Sequence, residues 1–309
     1  MSKLLQTAVR DFLLQAFALQ PLALRQWLMS HFQRLLLKVF FSLNTDTITL
    51  SPAGLPPHRF RMWLNWQGSL DYALGLYEPE AMQSIRRMVN VGDCCIDVGA
   101  NLGYYTISLA KWVGPNGLVV AFEPFPGNFA ILEKNVHLNQ LQKVILEPSA
   151  VSDCNGSLEL VYGIEEQFSA TPSVGGYAIE GDRESIRVPT RRLDDYIRAL
   201  GRVPRFIKVD VEGAELTVLE GARHTLTASR PILLVEIHGW GTDEAARVLQ
   251  FISELQYETQ VLGQKGRERV VLCTVQQYTS PTMQLLETKP DSSSTSSGSF
   301  RGRRNWTND

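Results

Sequence analysis

The sequence predicts a doubly wound α/β domain, a mostly parallel sheet covered by helices on both faces, with an N-terminal helical extension. Three observations predict it. Short Val- and Ile-rich runs without strict polar alternation recur at residues 95–98, 118–123, 144–151, 206–210 and 232–237, and strands that are apolar on both faces belong to buried parallel sheets. Segments of helical period separate most of these runs, the pattern of parallel crossovers. The first run passes straight through a glycine-spaced turn into a helix, "CIDVGANLGYYTISLA", the place where open α/β sheets hold ligands.

Taken in order, residues 3–43 read as two amphipathic helices broken near Gln20-Pro21, because proline lacks the helical N–H and restricts the residue before it. They are expected to pack on the main domain or on a second copy of the chain in a homo-oligomer. Their mostly basic charges and abundant Leu, Phe and Trp also fit a peripheral membrane-surface element. "DTITL" is a short β-like run, followed by the Pro-rich connection "SPAGLPPH". A strand or loop comes next, then a helix entered around Pro79, where proline suits the first helical turn. Between Leu158 and Pro189 the polar, Gly-containing stretch "EEQFSATPSVGGYAIEGDRES" reads as a mobile loop over a site. Past Tyr257 the chain reads as a terminal hairpin turning around Gly263 to Gly266. The Ser-rich end has too few apolar residues to order itself. The domain plan is therefore an extension and linker over 1–60, one catalytic-sized domain over 61–286, and a disordered tail over 287–309.

Composition narrows the classes. The 309 residues carry 30 Lys and Arg against 32 Asp and Glu, a net charge of −2, so no basic footprint for nucleic acid is present and none is expected as a partner. Cys94, Cys95, Cys154 and Cys273 lack the spacing of a metal site and read as buried thiols in a reducing compartment. No run reaches the roughly 18 apolar residues of a membrane span, and charges interrupt the N-terminus where a signal peptide would need an apolar core. The expected location is cytoplasmic, with the membrane surface as a possible peripheral contact.

The turn itself reads Asp97-Val98-Gly99-Ala100-Asn101-Leu102-Gly103. Gly99 has access to backbone angles closed to other residues and would let a ligand approach the main chain, while Gly103 would allow close packing as the helix starts. A dinucleotide needs G-x-G-x-x-G around its pyrophosphate; this chain has G-x-x-x-G. Asp97, ahead of the first glycine, would repel phosphate and accept from an ammonium group. The combination favours a cationic cofactor, S-adenosylmethionine. Glu123, at the end of the second strand and followed by Pro124, stands near the spacing at which a carboxylate grips ribose hydroxyls.

Further on, "FIKVDVEGAELTVLEGA" crowds Asp210, Glu212 and Glu215 at the carboxyl end of a strand. These can orient a hydroxyl, take its proton or bind a cation, or merely favour a helix N-terminus. Glu236 and His238 end the next strand at the same edge, and a histidine there is a candidate general base.

These segments, together with "EPSAVSDCNGSLEL", "RRLDDYI" and "RPILLVEIHG", resemble the FkbM family of S-adenosylmethionine-dependent methyltransferases from about Tyr77 to Trp240. The resemblance implies the seven-stranded, Rossmann-like class I methyltransferase fold with an antiparallel strand in its final hairpin. It also implies methyl transfer to a hydroxyl oxygen of a sugar, glycan or natural product. Carried over, Asp97, Gly99, Ala100, Asn101 and Gly103 surround the methionine end of the cofactor, Glu123 and Pro124 lie at the ribose, and Ala150 and Ser152 belong to the adenine segment. Asp210, Glu212 and His238 are the candidate catalytic groups. No dedicated metal ligands are assigned, although a Mg2+ requirement stays open because the same carboxylates suit a cation. Two other readings remain: a catalytically silent scaffold on the same fold, and a dinucleotide-dependent oxidoreductase.

Overall fold

The computed structural model describes residues 47–50, 60–63, 72, 77–163, 173–174 and 183–275. The helical extension read over 3–43 and the tail read after Glu287 lie outside the described residues. The two short upstream runs, β1 (Thr47–Leu50) and β2 (Phe60–Trp63), pair antiparallel, Thr47 opposite Trp63.

From Pro79 the chain builds the frame in sequence order. Helix α1 (Pro79–Met88) starts on its proline and buries Ala81, Met82 and Ile85. Strand β3 (Cys94–Val98) leads into α2 (Tyr104–Val113), and β4 (Leu118–Phe122) into α3 (Pro126–Leu138). After β5 (Val144–Glu147) come the short β6 (Ala150–Ser152), then β7 (Gly156–Gly163), β8 (Ser173–Val174) and β9 (Arg183–Arg192). Helix α4 (Leu193–Leu200) returns the chain to β10 (Phe206–Val209), which is followed by α5 (Glu215–Gly221) and α6 (Arg223–Ala228). The frame closes with β11 (Ile232–Ile237), α7 (Asp243–Glu254), β12 (Glu258–Lys265) and β13 (Glu268–Thr274).

The main sheet has seven strands in the order β12-β13-β11-β10-β3-β4-β5. β11, β10, β3, β4 and β5 pair in parallel, while β13 runs antiparallel to both β11 and β12. The doubly wound, mostly parallel sheet expected from the sequence is therefore present, with its antiparallel strand in the final hairpin. β3 is the pivot: the chain first builds outward through β4 and β5, then resumes on the other side of β3 with β10. That reversal opens the crevice at the carboxyl ends of β3 and β10 where such sheets bind ligands. Ile96, Val120, Phe122, Phe206 and Ile232 are wholly buried, which is why these strands read as continuous apolar runs.

Two expectations need correction. The single strand read over 144–151 is two strands in different sheets. Pro148 cannot donate to a ladder, and the Ser149 N–H closes back on the Glu147 carbonyl at 2.8 Å. The chain thereby leaves the main sheet after Glu147 and enters a four-stranded sheet ordered β6-β9-β7-β8. Of the stretch 165–185 read as a loop, the described residues 173–174 form β8 and 183–185 begin β9, and on either side of it Leu158 lies opposite Val188 and Leu160 opposite Ile186. Leu160 and Val188 are buried with Ala150, and Leu158 and Ile186 pack on them. The alternation in "GSLELVYG" was the strand signal that its polar surroundings masked. Residues 164–172 and 175–182 lie outside the described residues. Cys94, Cys95 and Cys273 are buried thiols as expected, but Cys154 is exposed; all four are free.

Candidate active site

The turn after β3 is held from two sides. The N–H groups of Gly99 and Ala100 both donate to the Phe122 carbonyl, at 3.0 and 2.9 Å, which ties the turn to the end of β4. Gly99, Asn101 and Gly103 all have positive φ, at 78°, 50° and 95°. A Cβ at Gly99 would stand 1.7 Å from the Asp210 carbonyl oxygen. The bare backbone there makes room for the Asp210 carbonyl at the end of β10, on the wall of the cleft that Gly99 also lines. At Gly103 a Cβ would stand 2.6 Å from Leu132 Cδ1, the close packing expected where α2 begins. Ala100 packs inward with Ala121, Leu132 and Val136.

Beneath the turn lies an ion network that the sequence reading did not assemble. Lys208 faces Asp97 across the β10–β3 ladder. Its Nζ lies 3.6 Å from Asp97 Oδ1 and 3.0 Å from Asp210 Oδ2 and donates to the Gly99 carbonyl at 3.1 Å. Asp97 is fully buried and also accepts from Thr106 Oγ1 at 2.6 Å. Burial raises the Asp97 pKa, with Lys208 and Thr106 pulling it back. Burial opposes the charge on Lys208, but Asp210 and Asp97 outweigh it and the net shift is upward. Lys208 thus sets a positive charge of the chain's own beside Asp97. The signal was legible in part, since Lys208 stands two residues before Asp210 on the same strand face.

Above the turn runs a cleft of about 240 Å3. Gly99, Asn101, Glu123, Pro124, Ala150 and Ser152 line it as expected, and Asp210 and Glu212 form its other end. Asp97, Ala100, Gly103 and His238 are not on its wall. Glu123, 4% exposed, is fixed by two backbone donors: Asn101 N to Oε2 at 2.8 Å and Phe125 N to Oε1 at 2.9 Å. Burial pushes its pKa up to about 7 against those two hydrogen bonds. Ser149 brings a buried hydroxyl with no hydrogen-bond partner among the described residues. Leu158 and Leu160 from β7 supply an apolar wall that sequence reasoning missed, because it depends on a second sheet folding back over the first.

At the open end the acidic residues converge. His238 is bracketed by two carboxylates: Nδ1 is 2.7 Å from Glu215 Oε1 and Nε2 is 3.2 Å from Glu212 Oε2. Burial lowers the histidine's pKa, but the Glu215 hydrogen bond and the Glu212 charge outweigh it and lift it to about 9. Both ring nitrogens of the histidine considered from sequence as a general base thus face carboxylates. Burial raises Glu212 to about 7, against the pull of His238. Glu215, nearly buried, also accepts from Gly213 N at 2.9 Å. No side chain caps α5 at its N-cap, so helix capping does not account for Asp210 or Glu212. Two further carboxyls, absent from the sequence-predicted set, complete the cluster. Glu78 accepts from the Tyr105 hydroxyl, and burial, then Asp210, raise its pKa against that hydrogen bond. Burial, then Asp210 and Glu78, push Glu236 up to about 10. Asp210, Glu212 and His238 each offer a donor atom within 4.8 Å of the others.

Residues 97–259 match the model of the methyltransferase FkbM domain, a span that begins at Asp97 and takes in the turn, Glu123, Asp210, Glu212, Glu215, Glu236 and His238. The chain belongs to the FkbM methyltransferase domain family. Among curated relatives, Methyltransferase 1 of Beauveria bassiana is 28% identical over 145 residues, 41% of this chain and 57% of that protein. The hexuronic acid methyltransferase AglP of Haloferax volcanii is 28% identical over 186 residues, 60% of this chain and 71% of that protein. The 2-O-methyltransferase NoeI of Sinorhizobium fredii is 26% identical over 177 residues, 52% of this chain and 72% of that protein. The chain thus spans less than three-fifths of the first of these relatives. Among the described residues, no helix of this FkbM domain protein is long and apolar enough to cross a membrane.

Proposed function

We propose that this FkbM domain transfers a methyl group from S-adenosylmethionine to a hydroxyl oxygen of a sugar, glycan or natural-product acceptor. The observation that carries the reading is one cleft with two chemically distinct ends. One end has Glu123 locked by the N–H groups of Asn101 and Phe125, with its remaining lone pairs available to ribose hydroxyls. Ser149, Ala150, Ser152 and the Leu158–Leu160 wall suit a flat, partly polar adenine. The other end is acidic, where Asp210 and Glu212 line the cleft and favour a sulfonium over a phosphate.

The cofactor supplies an electrophilic methyl carbon. The residues of the chain align the acceptor for in-line attack, which provides much of the acceleration. The Asp210–Glu212 carboxylates would take the hydroxyl proton as the acceptor oxygen takes the methyl group. Lys208 stands 3.0 Å from Asp210 and His238 3.2 Å from Glu212, where each orients its carboxylate. The names of AglP and NoeI place acidic sugars and 2-O positions among the acceptors of relatives, which makes a sugar hydroxyl the first class to assay.

Calorimetry of the full chain with S-adenosylmethionine, its demethylated product and NAD separates this reading from its rivals. Tight binding of the first two with none of NAD is expected. NAD binding alone would point to the oxidoreductase, and no binding of any of the three to a scaffold. Mass spectrometry of glycans from cells with and without the gene then reports a methyl-mass difference if the acceptor is a sugar.

A further inference from the structure

We infer that Tyr72, Tyr77 and Glu78 form an acceptor subsite beside the Asp210 end of the cleft, built to take an uncharged or amino sugar ring. The inference rests on the methyl-transfer reading above and narrows its substrate class. Its foundation is a group of packed rings. The Tyr72 centroid lies 4.3 Å from that of Tyr77 and 4.9 Å from that of Tyr104, and Tyr77 meets Tyr104 edge-on at 5.5 Å. Tyr104 is 3% exposed, whereas Tyr72 and Tyr77 keep part of their surface open. A partly open aromatic pair backed by a buried ring is a flat apolar platform on a firm support. A pyranose presents a matching face of C–H bonds, with its hydroxyls turned to the rim.

Glu78 supplies the polar partner. It precedes α1 with φ 42° and ψ 52°, a left-handed conformation that is unfavourable for any residue with a side chain. Its carboxylate makes no hydrogen bond to cap the helix. It turns instead to α2 and accepts from the hydroxyl of buried Tyr105. Strain of this kind persists where the surroundings over-determine it and gathers at ligand sites; here it aims the carboxylate across to α2. The bond to Tyr105 leaves lone pairs on Glu78 that can accept from sugar hydroxyls.

Contacts tie this group to the cleft. Lys208 Nζ lies 5.1 Å from the Tyr105 ring centroid and 3.0 Å from Asp210, and Asp210 lines the cleft. Asp210 also acts electrostatically on Tyr72, Tyr77 and Glu78. A ring stacked on the tyrosines would therefore stand next to the carboxylate assigned to its hydroxyl proton. The same surroundings select charge. Asp210 and Glu212 line the cleft, and the cations paired with them, Lys208 and His238, each already face two carboxylates. A sugar carboxylate or phosphate placed there meets repulsion, whereas a hydroxyl or an ammonium group does not.

The test uses the full chain in the presence of the demethylated cofactor, with methyl glucoside, glucosamine and glucuronate as probes. Saturation-transfer NMR is expected to mark the C–H protons of one face of the first two sugars. Titration should give both an affinity about tenfold or more above that of glucuronate. In Tyr77→Ala, checked for fold by circular dichroism, methyl glucoside affinity should fall about tenfold, while Tyr77→Phe, which keeps the ring, should stay within about threefold. Both variants should bind the demethylated cofactor as wild type does. Absence of saturation transfer to methyl glucoside and glucosamine in the unaltered protein would overturn the subsite even if no variant folds. Glucuronate binding as tightly as methyl glucoside would overturn it too, as would a folded Tyr77→Ala with wild-type sugar affinity. Calorimetry with the demethylated cofactor on the same samples separates the two ideas: sugar binding without cofactor binding keeps the subsite and removes the reaction, and cofactor binding without sugar binding removes the subsite alone.

Discussion

Replacing Gly99 by Ala tests what the glycine turn is built for. The added Cβ would lie 1.7 Å from the Asp210 carbonyl oxygen and 2.9 Å from its carbon. Both are backbone atoms of the strand end, so no side chain can swing aside. The φ of 78° costs an L-residue roughly 1–2 kcal/mol, and forcing a methyl into a filled site adds about 1–3 kcal/mol. The two together give a destabilisation of about 2–5 kcal/mol. In a domain of this size each kcal/mol moves Tm by roughly 2–4 °C, so a fall on the order of 5–15 °C is expected in differential scanning calorimetry of the cofactor-free protein. Cofactor binding should weaken as well, because moving Asp210 disturbs the open end of the cleft. If Gly99→Ala melts within about 1 °C of wild type and only loses cofactor, the glycine serves ligand approach and the β10 packing argument is wrong.

Other substitutions probe the network around it. Lys208→Met strands buried Asp97 opposite Asp210 without their cation, and breaking a buried pair in this way should cost about 3–5 kcal/mol in urea unfolding; a loss under about 1 kcal/mol would show that the carboxyls find other compensation. His238 has a folded pKa of about 9 against an ordinary 6.5, so its stabilising contribution is full below about pH 6.5 and disappears as pH rises through 9. The stability gap between wild type and His238→Ala, measured in chelator at pH 6 and at pH 9.5, should shrink by at most about 3 kcal/mol, and a gap that widens with pH would contradict the bracketing carboxylates. Glu123→Gln keeps the shape but loses a charge-assisted hydrogen bond of about 1.5–3 kcal/mol. S-adenosylmethionine affinity in calorimetry should drop roughly 10- to 100-fold, and unchanged affinity would remove Glu123 from the ribose.

What could be read from the sequence alone follows from local chemistry. Apolar strands without alternation announced a sheet buried on both faces, and β3, β4, β10 and β11 lie where those runs stood. Pro79, Gly103 and Gly266 marked element ends because proline and glycine act on their own backbone, whereas Gly263, read as part of the hairpin turn, lies within β12 opposite Val270. Asp97, Glu123, Asp210 and Glu212 could be singled out because strand ends in a parallel sheet meet at one edge whatever the rest of the chain does.

The tertiary structure decided what those residues face. Sequence spacing placed Asp97 at a ligand, yet the β3–β10 register sets Lys208 beside it, so its charge is spent within the protein. The same register puts the Asp210 carbonyl where a Gly99 side chain would be, a constraint between residues 111 positions apart that no local pattern carries. His238 stands alone in the sequence pattern, whereas the fold sets Glu215 and Glu212 against its two nitrogens. The break at Pro148 sent β6 into a second sheet, and only that sheet delivers Leu158 and Leu160 to the cleft. Backbone preference acts over a few residues and can be read in order along the chain, whereas charge pairing and burial depend on strands that become neighbours only when the sheet forms.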